Sequence, residues 1–275
     1  MLTGLKDILS LAEKGNFAVP AFNVYNMETV MGIMEAAEAE HAPVIIQSYS
    51  RLFTNKEGYF VSPIVLAAAK KANVPICFHL DHGAGITEVT RALRWGATGI
   101  MIDKSTLDFE DNIRETKTVV DMCSAVGIGV EGELGHIGSV SEEISQVYTE
   151  AKDAKKFVED TGVTALAVMV GTAHGRYKKA PKLGIDRIAE IHKATDAALV
   201  LHGGSGVPDE EIKAAVKAGI RKINFGTDVC YSFLDKVFET SRDLIAIDLF
   251  MKDAIENVKK FGIGKIRLLG AENKA

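Results

Sequence analysis

Three of the seven histidines in this chain are followed by glycine in short polar runs: His79-Leu80-Asp81-His82-Gly83, Gly171-Thr172-Ala173-His174-Gly175 and Leu201-His202-Gly203-Gly204-Ser205-Gly206. A lone histidine in such a place reads as a hydrogen-bonded core residue. His82, His174 and His202, at matching places in three separate repeats, read as a ligand set, because three neutral imidazoles suit zinc and leave one coordination position open to substrate. Asp81 adjoins a ligand, where the field of a cation would keep its carboxylate ionised until it exchanges a proton with substrate. The competing role for Asp81 is to orient a histidine. Glu131 and Glu133, two residues apart, share one strand face and offer either a further metal contact or charge balance. By the same parity His79 projects to the side of Asp81 and away from that of His82, which suits packing or a hydrogen bond. His41, His136 and His192 carry no ligand role in this reading.

A second constellation suits an anion. Gly203-Gly204-Ser205-Gly206 and Asn224-Phe225-Gly226-Thr227 each lie between an apolar run and an amphipathic stretch. Glycines there let backbone N–H groups approach a ligand, Ser205 and Thr227 add hydroxyl donors, and a following helix N-terminus favours negative charge. Ordinary strand-to-helix turns are the plainer alternative.

Eight short apolar runs must position these groups: Ala18–Tyr25, Pro43–Tyr49, Pro75–His82, Gly99–Asp103, Gly129–Gly135, Ala165–Gly171, Ala198–Gly204 and Lys222–Thr227. Their near-continuous apolar character fits strands covered on both faces. Between them run helical patterns. Val30, Ile33, Met34 and Ala37 follow a capping Asn26, and Pro208-Asp209-Glu210-Glu211 opens a helix that Gly219 closes. Eight β/α repeats predict a single domain over residues 1–275, a (β/α)8 TIM barrel in the α/β class, with Leu244–Phe261 as an additional C-terminal helix. A doubly wound open sheet is the runner-up. In a barrel the polar residues ending the strands (Asn23, Asp81, Asp103, Glu133, His202, Asn224) would meet at one mouth. The run Gly135–Tyr148 reads as a movable loop above it.

Bulk composition excludes other classes. With 32 Lys+Arg against 37 Asp+Glu the net charge is -5, and no basic cluster is present to neutralise a row of phosphates, so nucleic acid is not expected as a partner. No apolar run approaches a membrane span, and the N-terminal segment lacks a signal-type apolar region, so a cytoplasmic protein without membrane association is expected. The three cysteines, Cys77, Cys123 and Cys230, are widely spaced and read as small buried residues of a reducing compartment.

Over almost its whole length the chain resembles the class II, metal-dependent fructose-bisphosphate and tagatose-bisphosphate aldolases. The similarity lies in Val19-Pro20-Ala21-Phe22-Asn23, the run from His79 to Gly83, Met101-Ile102-Asp103, Glu131-Gly132-Glu133-Leu134-Gly135, the runs around His174 and His202, Ala180-Pro181-Lys182-Leu183 and Lys222-Ile223-Asn224. The resemblance implies a lyase in which His82, His174 and His202 hold one zinc ion (Zn2+) per chain, with Glu133 and Asp103 at an alternative metal position. Asp81 would exchange the C4 hydroxyl proton. Gly175, Gly203, Ser205, Asn224 and Thr227 would hold the phosphate of the dihydroxyacetone-phosphate half, with Asn23, Ser48, Ser50, Lys178 and Gly226 as further substrate contacts. It also implies room for a monovalent cation (Na+ or K+) near Gly175 and Gly203, and a homodimer or homotetramer.

The departures concern the rest of the substrate. Glu142 or Glu143 takes the place of the acidic loop residue that moves the C3 proton, and Tyr49 stands where the family has a serine. The C-terminal arginine motif that meets the distal phosphate is replaced by Ile247-Asp248-Leu249-Phe250-Met251-Lys252, leaving Arg51, Lys104 and Arg176 as candidates for a substitute anion site. A sulfonated or non-phosphorylated distal group is therefore an alternative. Metal-dependent ketose epimerisation or isomerisation, and non-catalytic sugar-phosphate binding, are readings of other classes.

Overall fold

A computed structural model of the chain describes residues 1–140 and 147–275; Glu142 and Glu143 lie outside the described residues. Eight strands alternate with helices: β1 (Val19–Asn23), β2 (Val44–Tyr49), β3 (Ile76–Gly83), β4 (Gly99–Ile102), β5 (Gly129–Leu134), β6 (Ala165–Val168), β7 (Ala198–Leu201) and β8 (Ile220–Phe225). All neighbours pair in parallel, and β1 pairs with β8 through Val19–Lys222 and Ala21–Asn224, closing a barrel. That closure rules out the open doubly wound sheet. Strand residues are buried almost throughout, as expected where side chains fill the lumen and helices cover the outside.

The helices are α1 (Leu5–Gly15), α2 (Met27–Ala39), α3 (Ser50–Thr54), α4 (Glu57–Lys71), α5 (Ile86–Arg94), α6 (Phe109–Ser124), α7 (Ala151–Thr161), α8 (Ile185–Ala194), α9 (Asp209–Ala218), α10 (Thr227–Glu239), α11 (Ile247–Phe250) and α12 (Lys252–Leu268). Helix α2 begins in a reciprocal cap: the Asn26 side chain accepts from the Thr29 N–H at 3.0 Å while Thr29 Oγ1 accepts from the Asn26 N–H at 3.2 Å. Helix α1 buries Leu5, Ile8, Leu9 and Ala12 against the N-terminal ends of the strands, and the Leu5 N–H donates to Thr98 O at 3.0 Å. The opposite, C-terminal mouth is thus the open one. None of the described helices is long and apolar enough to cross a membrane.

The C-terminal helix differs from expectation. The apolar run from Leu244 holds only the short α11, and Ile245 and Ile247 are exposed; the long helix starts at Lys252 and continues past Phe261 to Leu268. Period rather than apolarity decides this. Ala254, Val258, Gly262 and Ile266 recur every four residues and form the buried stripe. Gly262 leaves no room for a Cβ against Ala36, and Gly32 of α2 leaves none against Val258, so the two helices meet closely. The eighth strand also shifts, because Thr227 opens α10 and Gly226 caps it.

Candidate active site

A cleft of about 430 Å³ opens at the C-terminal mouth, lined among others by Asn23, Asp81, His82, Asp103, His174, Gly175, Gly203, Ser205, Asn224, Gly226 and Thr227. Strand alternation alone would turn His82 away from Asp81. It does not, because His82 adopts a left-handed backbone (φ 50°) where the β3–β4 register shifts between Leu80 and Gly83. Both consecutive side chains therefore reach the cleft. His174 lies six residues beyond β6, yet it is fixed by a two-way backbone bridge: its N–H donates to Gly138 O and its carbonyl accepts from the Val140 N–H, both at 2.9 Å. His202 follows β7 directly and is fully buried.

The three imidazoles converge, with one ring nitrogen from each within 4.8 Å of the others. Each ring has its other nitrogen engaged. His82 Nδ1 lies 2.8 Å from Asp103 Oδ2, His174 Nδ1 lies 2.8 Å from Ile137 O, and His202 Nε2 lies 2.8 Å from Glu131 Oε1. Since carboxylates and carbonyls only accept, these nitrogens carry the protons, and His82 Nε2, His174 Nε2 and His202 Nδ1 keep lone pairs. Two of these, His82 Nε2 and His202 Nδ1, face each other at 3.1 Å. Two lone pairs repel at that distance unless a proton or a metal cation lies between them, and ligands about 2.05 Å from a tetrahedral zinc are separated by about 3.3 Å. The residues therefore fit a divalent metal. A second trio, His82, Asp103 and Glu133, shares one histidine with the first.

Electrostatics support the same division of roles. Burial opposes charge on His82, but Asp81, Asp103 and Glu133 outweigh it and raise the group to about 9. Burial, with His82 and then His202 beside it, lowers His174 to about 3. A pocket that draws one proton into a cluster of imidazoles attracts a dication more strongly. For Asp81, burial is outweighed by His82, His202 and Lys222 and by the hydrogen bond from Asn23, so its carboxyl stays below its ordinary range. Asn23 Nδ2 donates to Asp81 Oδ2 at 2.8 Å and Asn224 Nδ2 to Oδ1 at 3.3 Å, aiming the carboxylate into the cleft. Glu133 is pushed up to about 8 by burial and by Asp103.

Beneath the cleft lies a group that sequence reading missed. Lys222, fully buried, sets Nζ 2.8 Å from Glu131 Oε2 and donates to Asn224 Oδ1 at 2.8 Å. It thus links the support of Asp81 to the support of His202. Burial alone would raise Glu131, but Lys222, then His202 and His79, hold it well below the usual carboxylate range. Glu131 is accordingly a buried brace for His202 and lies outside both convergent trios. The available signal was parity, since Lys222 stands two residues before Asn224 and so faces the lumen with it. Replacing Lys222 with Met leaves the Glu131 charge buried without its cation. The expected loss is about 3–5 kcal/mol, read as a fall of roughly 10 °C in a thermal melt; an unchanged melting temperature would contradict the role.

The turns after β7 and β8, where the sequence suggested an anion site, line the cleft beside the histidines. Gly203 has φ 65°, and a Cβ there would collide with the Ala173 carbonyl, so the backbone can pass only as glycine. Ser205 Oγ accepts from the Asp228 N–H at 3.1 Å, which leaves its hydroxyl proton for a ligand. Gly226 and Thr227 present the N-terminus of α10 to the same space. Three expected contacts are placed elsewhere. Gln47 and Tyr49 take the lumen side of β2, so Ser48 faces the helices; Ser50 opens α3; and Lys178 lines a neighbouring cavity with Lys179 and Lys182. Lys104 donates to Ala84 O at 2.6 Å and Arg176 lies 5.0 Å over the Tyr231 ring, and neither lines the cleft, whereas Arg51 does. His136, Tyr25 and Ser139 join the lining without having been singled out.

Comparisons with known proteins place the chain in a family. The family model for class-II fructose-bisphosphate aldolase matches residues 3–274. A sulfofructosephosphate aldolase of Alkalicoccus urumqiensis is 36% identical over 282 aligned residues, covering 98% of this chain and 97% of the relative. The crystal structure of the YdjI aldolase from Escherichia coli K12 superposes with a TM-score of 0.92 at 35% identity, covering 100% of both chains. The fructose-bisphosphate aldolase of Campylobacter jejuni superposes with a TM-score of 0.82, covering 100% of this chain and 97% of that one, and at 22% identity it speaks for the barrel alone. With a family match spanning the chain and three convergent histidines at the mouth of a closed barrel, this chain belongs to the class II fructose-bisphosphate aldolase family and is a lyase of that kind.

Proposed function

We propose that the protein is a zinc-dependent aldolase that reversibly cleaves the C3–C4 bond of a ketose phosphate to dihydroxyacetone phosphate and an aldehyde. The observation that carries the reading is the facing of three imidazole lone pairs beside the Asp81 carboxylate. Zinc held by His82, His174 and His202 would supply the Lewis acidity that spreads the negative charge left at C3 onto the C2 oxygen. Asp81, aimed by Asn23 and Asn224, takes the proton from the C4 hydroxyl during cleavage and returns it during condensation. The turns at Gly203–Ser205 and Gly226–Thr227 hold the phosphate, fixing the ketose so that C4 lies against Asp81. Glu142 or Glu143 is assigned the C3 proton by its place in the chain after Val140.

A sulfonated ketose phosphate is the second reading, favoured by the 36% identical relative named for that substrate. It keeps every step above and changes only the far end of the sugar. A homodimer or homotetramer belongs to the same proposal, supported by exposed apolar residues such as Phe238, Ile245 and Ile247. Release of triose phosphate from a panel of ketose phosphates tests the reading. A rearranged ketose without triose would instead mark an epimerase or isomerase.

A further inference from the structure

Arg51 lies on the cleft wall just beyond β2, as the second residue of α3. Among the described residues it is the single Lys or Arg side chain that lines the cleft. Its guanidinium carbon stands 5.5 Å from the centre of the Tyr25 ring and 5.1 Å from that of Tyr49. No carboxylate among the described residues comes within ion-pairing distance of it, whereas Arg187, Arg221 and Arg267 each have an acidic partner. An arginine held against two rings and left without an acid presents a preorganised planar fork to an incoming oxyanion. Burial, together with the Asp81 charge, pushes Tyr49 up, and burial does the same for Tyr25, so neither phenol becomes an anion that would neutralise the guanidinium.

The position gives this fork a direction. The Tyr49 ring is 5.7 Å from that of His82, so the guanidinium lies one ring beyond the metal cup. The phosphate-holding turns follow β7 and β8, and Arg51 follows β2, with β1 between them. A ketose anchored by one phosphate at the first site and bound through C2 at the cup would extend its far end toward Arg51. We propose that Arg51 is the specificity-determining receptor for a terminal oxyanion, phosphate or sulfonate, at that far end of the sugar. The assignment deepens the aldolase reading and rests on it for the direction of the substrate. The acidic groups Asp81 and Asp103 also line the cleft, so a second substrate anion needs this positive charge to be tolerated.

The test compares the zinc-loaded protein with its Arg51→Gln and Arg51→Lys variants on three ketose 1-phosphates whose far ends carry phosphate, sulfonate or a plain hydroxyl. Both cleavage and equilibrium binding are measured. The native chain should prefer an anionic end, and Arg51→Gln should cut that preference, as a ratio of kcat/KM values, by roughly 10- to 100-fold, with Arg51→Lys in between. The ranking of phosphate against sulfonate in the native chain identifies which anion is the substrate's. A preference that survives in Arg51→Gln, or equal losses on all three sugars, would overturn the assignment while leaving the aldolase reading intact. Conversely, an Arg51-dependent binding preference without any cleavage would uphold the anion receptor and sink the aldolase reading.

Discussion

Exhaustive chelation should bring triose release to background, and about one equivalent of zinc per chain should restore it. His82 Nε2, His174 Nε2 and His202 Nδ1 keep free lone pairs because Asp103, Ile137 and Glu131 hold the other ring nitrogens, and two of the free ones face each other at 3.1 Å. Among the described residues lining the cleft, Arg51 is the one lysine or arginine, and it lies on the rim rather than at the cup, so no amine is placed there to form a Schiff base. Lys222 is fully buried with its ammonium already committed to Glu131 and Asn224. With no covalent route to carry the C3 charge, losing the ion removes several kcal/mol of stabilisation from the cleavage step. Atomic absorption alongside the triose assay checks both halves, and full activity in metal-stripped protein would contradict the account.

The second large effect separates proton transfer from metal binding. Replacing Asp81 with Ala should lower kcat by about 100- to 10,000-fold, the range for a positioned general acid–base, while zinc content stays near one per chain. Asp81 has its own supports, Asn23 and Asn224, and its Oδ1 is 4.0 Å from His82 Nε2, so it stands beside the ligand set without belonging to it. Replacing His202 with Ala should remove metal and activity together, because one of three ligands goes and Glu131 loses the partner it braces. Equal loss of metal in the two variants would undo the assignment of Asp81 to proton transfer.

Much of this arrangement is legible in the residues before any coordinates. The alternation of eight apolar runs with amphipathic stretches specifies the barrel, since parallel strands covered on both faces need such runs and such crossovers. The polar residues that end those runs then fall at one mouth. What could not be read has identifiable physical causes. Strand parity places His82 on the wrong side, because nothing in His79–Gly83 announces a left-handed residue and a register shift. His174 sits too far past β6 for its strand to aim it, and its backbone bridge to Gly138–Val140 is a long-range contact. Lys222 was given no role, because its partner Glu131 lies three strands away and only the closed barrel brings the two together. Lys178, a substrate contact that the resemblance implies, lies beside another cavity, while the Tyr177 hydroxyl before it sits within hydrogen-bonding distance of the carbonyls of Ala173 at 2.8 Å and Gly203 at 2.9 Å.

The proposed chemistry depends on one ion shared by three distant histidines, and anomalous diffraction at the zinc edge from metal-loaded crystals tests that directly. A single strong peak about 2.1 Å from His82 Nε2, His174 Nε2 and His202 Nδ1 is the predicted result. No peak in the cleft, or one held by other side chains with those nitrogens uncoordinated, would contradict it.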